Sequence, residues 1–145
     1  MNAKEYLSRA WHMEQKVQAK LEQIERLRSL VCGMTAGIGG TAGHSRNVTS
    51  MQDTIVKISE MEEELNREID DLVTVRREIA EVIGQVEDSC QRVILEKRFL
   101  VFLSWSRIAR DLFYSRTWLV VKRDEAIDAV QRILDERESD RERGN

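Results

Sequence analysis

This chain of 145 residues predicts an all-α protein in two parts, a long antiparallel coiled-coil hairpin followed by a helix-turn-helix domain. Three observations carry that prediction. The chain has no proline and is 34% charged, a profile suited to long helices. Apolar residues recur at alternating three- and four-residue intervals through much of 1–87, the period of a coiled coil. The stretch from Trp105 to Ile127, WSRIARDLFYSRTWLVVKRDEAI, reads as helix, three-residue turn, helix.

The first helix is expected over 3–31. Asn2 and Glu5 are spaced as a capping box. Leu7, Ala10, Val17, Leu21, Ile24 and Val31 form its seam, with Glu14 and Arg28 as polar exceptions. Met13, Leu27 and Leu30 widen the stripe, which suits a two-helix seam rather than burial on all sides. Residues 32–49 break the pattern and hold five of the seven glycines, at 33, 37, 39, 40 and 43. No GK[ST] follows them, so a flexible helix–helix connection is expected in place of a phosphate-cradling loop.

The longest helix is expected over 50–87, with Ser50 as its cap. Met51, Ile55, Ile58, Leu65, Ile69, Leu72, Ile79, Ile83 and Val86 keep the rhythm, interrupted at Glu62 and Arg76, with Met61 and Val75 beside those two. At about 1.5 Å per residue this helix would be roughly 55 Å long. The first helix folding back on it, or a dimer through the same seam, would satisfy the pattern.

Asp88 or Ser89 is placed to start a third helix, whose Val93, Ile94, Phe99, Leu100, Phe102 and Leu103 suit a buried element. Ser104 and Ser115 are placed to cap the two helices that follow, each hydroxyl accepting from an orphan N–H of the first turn. Ile108, Ala109 and Leu112 give the first of these its apolar side; Leu119, Ala126, Ile127 and Val130 give the second its own. The domain is expected over 88–137, with a frayed charged tail at 138–145.

Charge is segregated along the chain. Residues 92–123 hold 8 basic against 2 acidic residues, a net of +6. Residues 1–91 hold 11 against 16 and residues 124–145 hold 4 against 8, nets of −5 and −4. The one basic block coincides with the two short helices, and double-stranded DNA is the partner it suits. Arg107, Arg110, Arg116, Lys122 and Arg123 are the expected phosphate contacts, and Thr117, Trp118 and Val121 would face the groove. Arg98 is expected to tie the third helix to the fourth. A second reading makes Trp118 and Val121, with Tyr114 beside them, anchors for a protein partner: RNA polymerase, another regulator or a second copy of this chain.

Other classes find little support in the residues. His12 and His44 are the only histidines and lack metal-ligand spacing, and Glu62, Glu63 and Glu64 have no partner suited to acid–base work. No cofactor and no enzymatic activity are expected. Cys32 and Cys90 are isolated and expected to be free thiols in a reducing cytosol. No run approaches 18 apolar residues, and the start, MNAKEYLSRAW, lacks an apolar signal core.

From about Asp88 onward the chain resembles region 4 of bacterial sigma factors. The resemblance rests on Arg98 and Phe99, then Trp105, Ile108, Ala109, Leu112, Tyr114 and Ser115, then Leu119, Ala126 and Ile127. With its N-terminal AKEYLSRAW and Gly-rich interruption, the whole chain looks like a family of small phage and prophage proteins, similar to ArpU- and RinA-type late-transcription regulators. That resemblance implies a phage of a Gram-positive host, a DNA-binding regulator in the host cytoplasm and a role in switching on late genes. Two departures stand out. Phe113 occupies a turn position commonly held by Gly, because the backbone there favours positive φ. Thr117, Trp118 and Val121 occupy the base-reading positions, where Arg, Lys, Asn or Gln are usual.

Overall fold

The computed structural model describes residues 1–37 and 44–144. These form five helices and no strand: α1 (Ala3–Gly37), α2 (His44–Gly84), α3 (Ser89–Phe99), α4 (Trp105–Asp111) and α5 (Arg116–Arg143). No helix among the described residues is long and apolar enough to cross a membrane.

The helix starts follow local chemistry. Asn2 Oδ1 accepts from the amide of Lys4 at 2.8 Å. Asp88 accepts from the Gln91 amide at 2.9 Å, Ser104 from that of Arg107 at 3.2 Å and Ser115 from that of Trp118 at 3.1 Å. Each bond satisfies one amide that the first turn leaves without a helical partner.

Four boundaries differ from expectation, one being the end of α2 at Gly84 rather than residue 87. α1 runs on to Gly37 and α2 begins at His44, so helix occupies both ends of the 32–49 segment expected as connection. A Cβ at Gly33 would meet nothing within 4 Å; this glycine is tolerated inside the helix rather than required by a turn. The rest of the connection, with glycines 39, 40 and 43, lies outside the described residues. Ser50, the expected cap, sits within α2, where its carbonyl accepts from the Thr54 hydroxyl at 2.8 Å. At the other end of the chain, α5 continues through the tail expected to fray. No helix breaker precedes Gly144, and Glu138 lies 3.6 Å from the N-terminal ammonium of Met1.

Compactness divides the chain into two units, Met13–Asp71 and a second made of Met1–His12 with Leu72–Asn145. In the first unit, Val17 and Ile24 of α1 and Met61 and Leu65 of α2 are buried. Lys20 Nζ reaches Glu64 at 3.0 Å and Glu68 at 2.9 Å, and Arg28 pairs with Glu62. The partner numbers fall along α2 as they rise along α1.

The seam of α2 has a different phase from the one expected. Ile55 and Ile69 are exposed, whereas Met61, Leu65 and Leu72 are buried and Val75 is half-buried. The second seam position is one residue earlier than predicted. Glu62 and Arg76 therefore do not interrupt the seam; Thr54 and then Glu68 do. One of the Glu68 carboxylate oxygens takes Lys20, and the other is buried without a hydrogen-bond partner. Hydrogen bonds to Glu68 and then Glu64 hold the Lys20 ammonium above its ordinary pKa, and the Lys20 bond holds Glu64 below its own.

In the second unit, Leu7 and Ala10 of α1 and Ile79, Val82, Ile83 and Val86 are fully or almost fully buried, with Ala126 and Val130 of α5. Gln131 fastens the start of α1: its Oε1 accepts from the Ala3 amide at 2.8 Å and its Nε2 donates to the Met1 carbonyl at 3.1 Å. Ile94, Ile108 and Leu119 form the core shared by α3, α4 and α5.

Candidate nucleic-acid interface

The fourth and fifth helices are set by that core. Leu103, Trp105, Ala109, Leu112 and Tyr114 pack around Ile94, Ile108 and Leu119, which fixes α4 and the start of α5 on α3. Arg98 donates to the Leu103 carbonyl at 3.0 Å, joining the end of α3 to the entry of α4 as expected. The α4–α5 turn is closed by the Phe113 amide on the Arg110 carbonyl at 3.3 Å and the Tyr114 amide on the Ala109 carbonyl at 2.9 Å.

Two phenylalanines hold positive φ, Phe102 at 65° and Phe113 at 58°. The side chain crowds the backbone in this region, at a cost of about 1–2 kcal/mol. Phe102 is half-buried, and the Arg76 guanidinium lies 5.5 Å from its ring centre. Phe113 is 96% exposed, so contacts within the chain do not offset its strain. Sequence reasoning puts Phe113 at a positive φ without making it a contact residue; its departure from glycine is the signal that points there.

The expected site residues divide into three groups. Thr117, Trp118 and Val121 are exposed on the first turns of α5, with Trp118 47% and Val121 42% accessible. Arg110 and Arg116 are exposed on either side of Phe113 and make no ion pair among the described residues. Together these six residues surround the turn with aromatic, apolar and unneutralised cationic groups.

A second group is engaged by neighbouring carboxylates. Arg107 Nε lies 3.0 Å from Asp111, which also receives Lys97 at 3.6 Å. Burial pushes the Asp111 carboxyl up, but Arg107 and Lys97 outweigh it and hold the group below its ordinary value. Lys122 reaches Glu125 at 3.4 Å and stands 4.8 Å from the centre of the Trp118 ring. Its contribution to a phosphate contact is diluted by Glu125.

The third group lies elsewhere. Tyr114, expected beside Trp118 as an anchor, packs on the α3–α4–α5 core. Burial and the neighbouring Cys90 push its hydroxyl pKa up. Arg123, expected among the phosphate contacts, stands 5.6 Å from the centre of the Trp105 ring. At 100° per residue it lies on the opposite edge of the buried stripe of α5 from Trp118.

No protein-family model, curated protein or solved structure matches this chain.

Proposed function

We propose that this chain is a DNA-binding transcriptional regulator in which an antiparallel coiled-coil hairpin, α1 with α2, carries a sigma region-4-like helix-turn-helix made by α4 and α5. The observation that bears most on this reading is the surface around the α4–α5 turn. Arg110 and Arg116 stand there exposed and make no ion pair among the described residues, and Thr117, Trp118 and Val121 are exposed on the helix that follows. Free arginines attract backbone phosphates, and the first turn of the second helix is the part of such a motif that meets base edges. Trp118 and Val121 offer apolar contact to thymine methyl groups, and the Thr117 hydroxyl donates or accepts. The Lys20, Arg28 and Glu62, Glu64, Glu68 pairs support the hairpin reading. Action on late genes of a phage, in the cytoplasm of its bacterial host, follows from the sequence resemblance.

A second reading is favoured by one observation, the full exposure of Phe113 in the turn that leads into the helix carrying exposed Trp118 and Val121. An aromatic group held in solvent at a strained backbone is suited to docking on a protein, with RNA polymerase or a second copy of the chain as partner. Selection of bound sequences from a random duplex library separates the two. A recovered consensus that Trp118→Ala with Val121→Ala weakens by about tenfold or more supports the DNA reader. Failure to enrich any sequence, together with loss of polymerase or self-association in the same variant, supports the protein contact.

A further inference from the structure

A second basic surface lies on the other edge of α5, apart from Trp118 and Val121. Lys4, Arg98 and Arg123 line a cavity of about 240 Å³ with the Ser8 hydroxyl and the Trp105 indole, and neither aspartate nor glutamate is in its lining. Both guanidiniums are held at the indole, Arg98 at 4.9 Å and Arg123 at 5.6 Å from its centre. Two like charges beside one ring, with an ammonium in the same cavity, repel each other, and Asp124 at 3.1 Å offsets only the charge of Arg123. The internal bonds leave donors for an anion. Asp124 takes only the Nε of Arg123, the Leu103 carbonyl takes one terminal nitrogen of Arg98, and Lys4 Nζ makes no ion pair among the described residues.

A second cavity, of about 280 Å³, shares Ser8, Arg98 and Phe99 with the first and is completed by Trp11, His12 and Phe102. Trp11 is 47% exposed, a large aromatic group available for stacking. Cations thus fill one side of a common wall and aromatic rings the other. Each cavity is slightly below the usual size of a drug-sized ligand site, about 300 Å³ or more, so each takes part of a small molecule.

We propose that the two cavities together bind a phosphate monoester bearing a planar ring, its phosphoryl oxygens among Lys4, Arg98 and Arg123 and its ring on Trp11 and Phe102. The shared wall at Ser8 and Phe99 is where the ester linkage would cross. This site uses none of the residues of the DNA reading: Thr117, Trp118 and Val121 lie on other faces of α5, and Arg116 stands about two turns before Arg123.

Calorimetric titration of the full chain with inorganic phosphate and with phenyl phosphate, at constant ionic strength, tests the assignment. Both probes are expected to bind, phenyl phosphate about tenfold more tightly through the added ring contact. Lys4→Gln and Arg123→Gln should each weaken both probes by about tenfold. Trp11→Ser should remove the advantage of phenyl phosphate while leaving inorganic phosphate unchanged, and thermal melts of the three variants report that the fold is kept. Excess duplex DNA should not compete. Absence of binding at millimolar probe, equal affinity for the two probes, affinities unmoved by Lys4→Gln and Arg123→Gln, or displacement by duplex DNA would each overturn the proposal.

Discussion

Phe113 concentrates the physical argument at the residue scale. It holds φ 58° with a side chain 96% exposed, so its strain is balanced by nothing in the free protein. Phe113→Gly is therefore expected to raise stability by about 1 kcal/mol in chemical denaturation, since glycine adopts this backbone without a Cβ clash. The same change should weaken binding to the functional partner; a stability gain with binding retained would make Phe113 incidental. Tyr114, next to it, behaves oppositely. Burial and Cys90 raise its pKa above the ordinary 10.0, so the folded chain keeps the proton longer than the unfolded one. The stability this residue supplies is complete below pH 10.0 and is lost as pH rises through the raised value. Tyr114→Phe should flatten the alkaline fall in melting temperature, and an unchanged fall would assign it to other groups. The strained turn position was legible because one residue stood where glycine is usual. The burial of Tyr114 was not, because an aromatic residue between two short helices suits a surface anchor and a core lid equally well.

At the scale of elements, the starts of α3, α4 and α5 were easy to read, whereas the start of α2 and the phase of its seam were not. Asp88, Ser104 and Ser115 cap by bonds to amides three residues on, so their chemistry is contained in a four-residue window. The seam of α2 depends on what faces it. Glu68 reads as an ordinary solvent-facing acid until Lys20 lies 2.9 Å away, and with that partner it occupies the seam position expected of Ile69. Helix extension into the Gly-rich segment was hidden for a related reason: glycine lowers local propensity, but packing along the rest of a long helix outweighs one or two such residues. The ion cluster makes a prediction. Lys20→Met should lower the melting temperature, because Glu68 already keeps one buried oxygen without a partner and would lose the bond to the other. Adding Glu68→Met should recover much of the loss, the double variant being more stable than Lys20→Met alone. A double variant less stable than Lys20→Met would mean that Glu68 is stabilised by something other than Lys20.

For the whole molecule, charge distribution was the most legible property and its local neutralisation the least. The +6 block at 92–123 is evident from composition, but the structure divides its cations by partner. Asp111 and Glu125 engage Arg107 and Lys122, and Arg98 and Arg123 stand at the Trp105 indole, leaving Arg110 and Arg116 exposed at the turn. The DNA reading thus concentrates its electrostatics in two residues and becomes quantitative. Each phosphate contact contributes about −0.9 to the slope of log affinity against log salt on duplex DNA. The most direct test is that slope, measured by fluorescence anisotropy on one duplex for the unaltered chain and for Arg110→Ala with Arg116→Ala. The account predicts salt-dependent binding whose slope becomes shallower by roughly 1.8 in the double variant. An unchanged slope, or no duplex binding even at low salt, would contradict it.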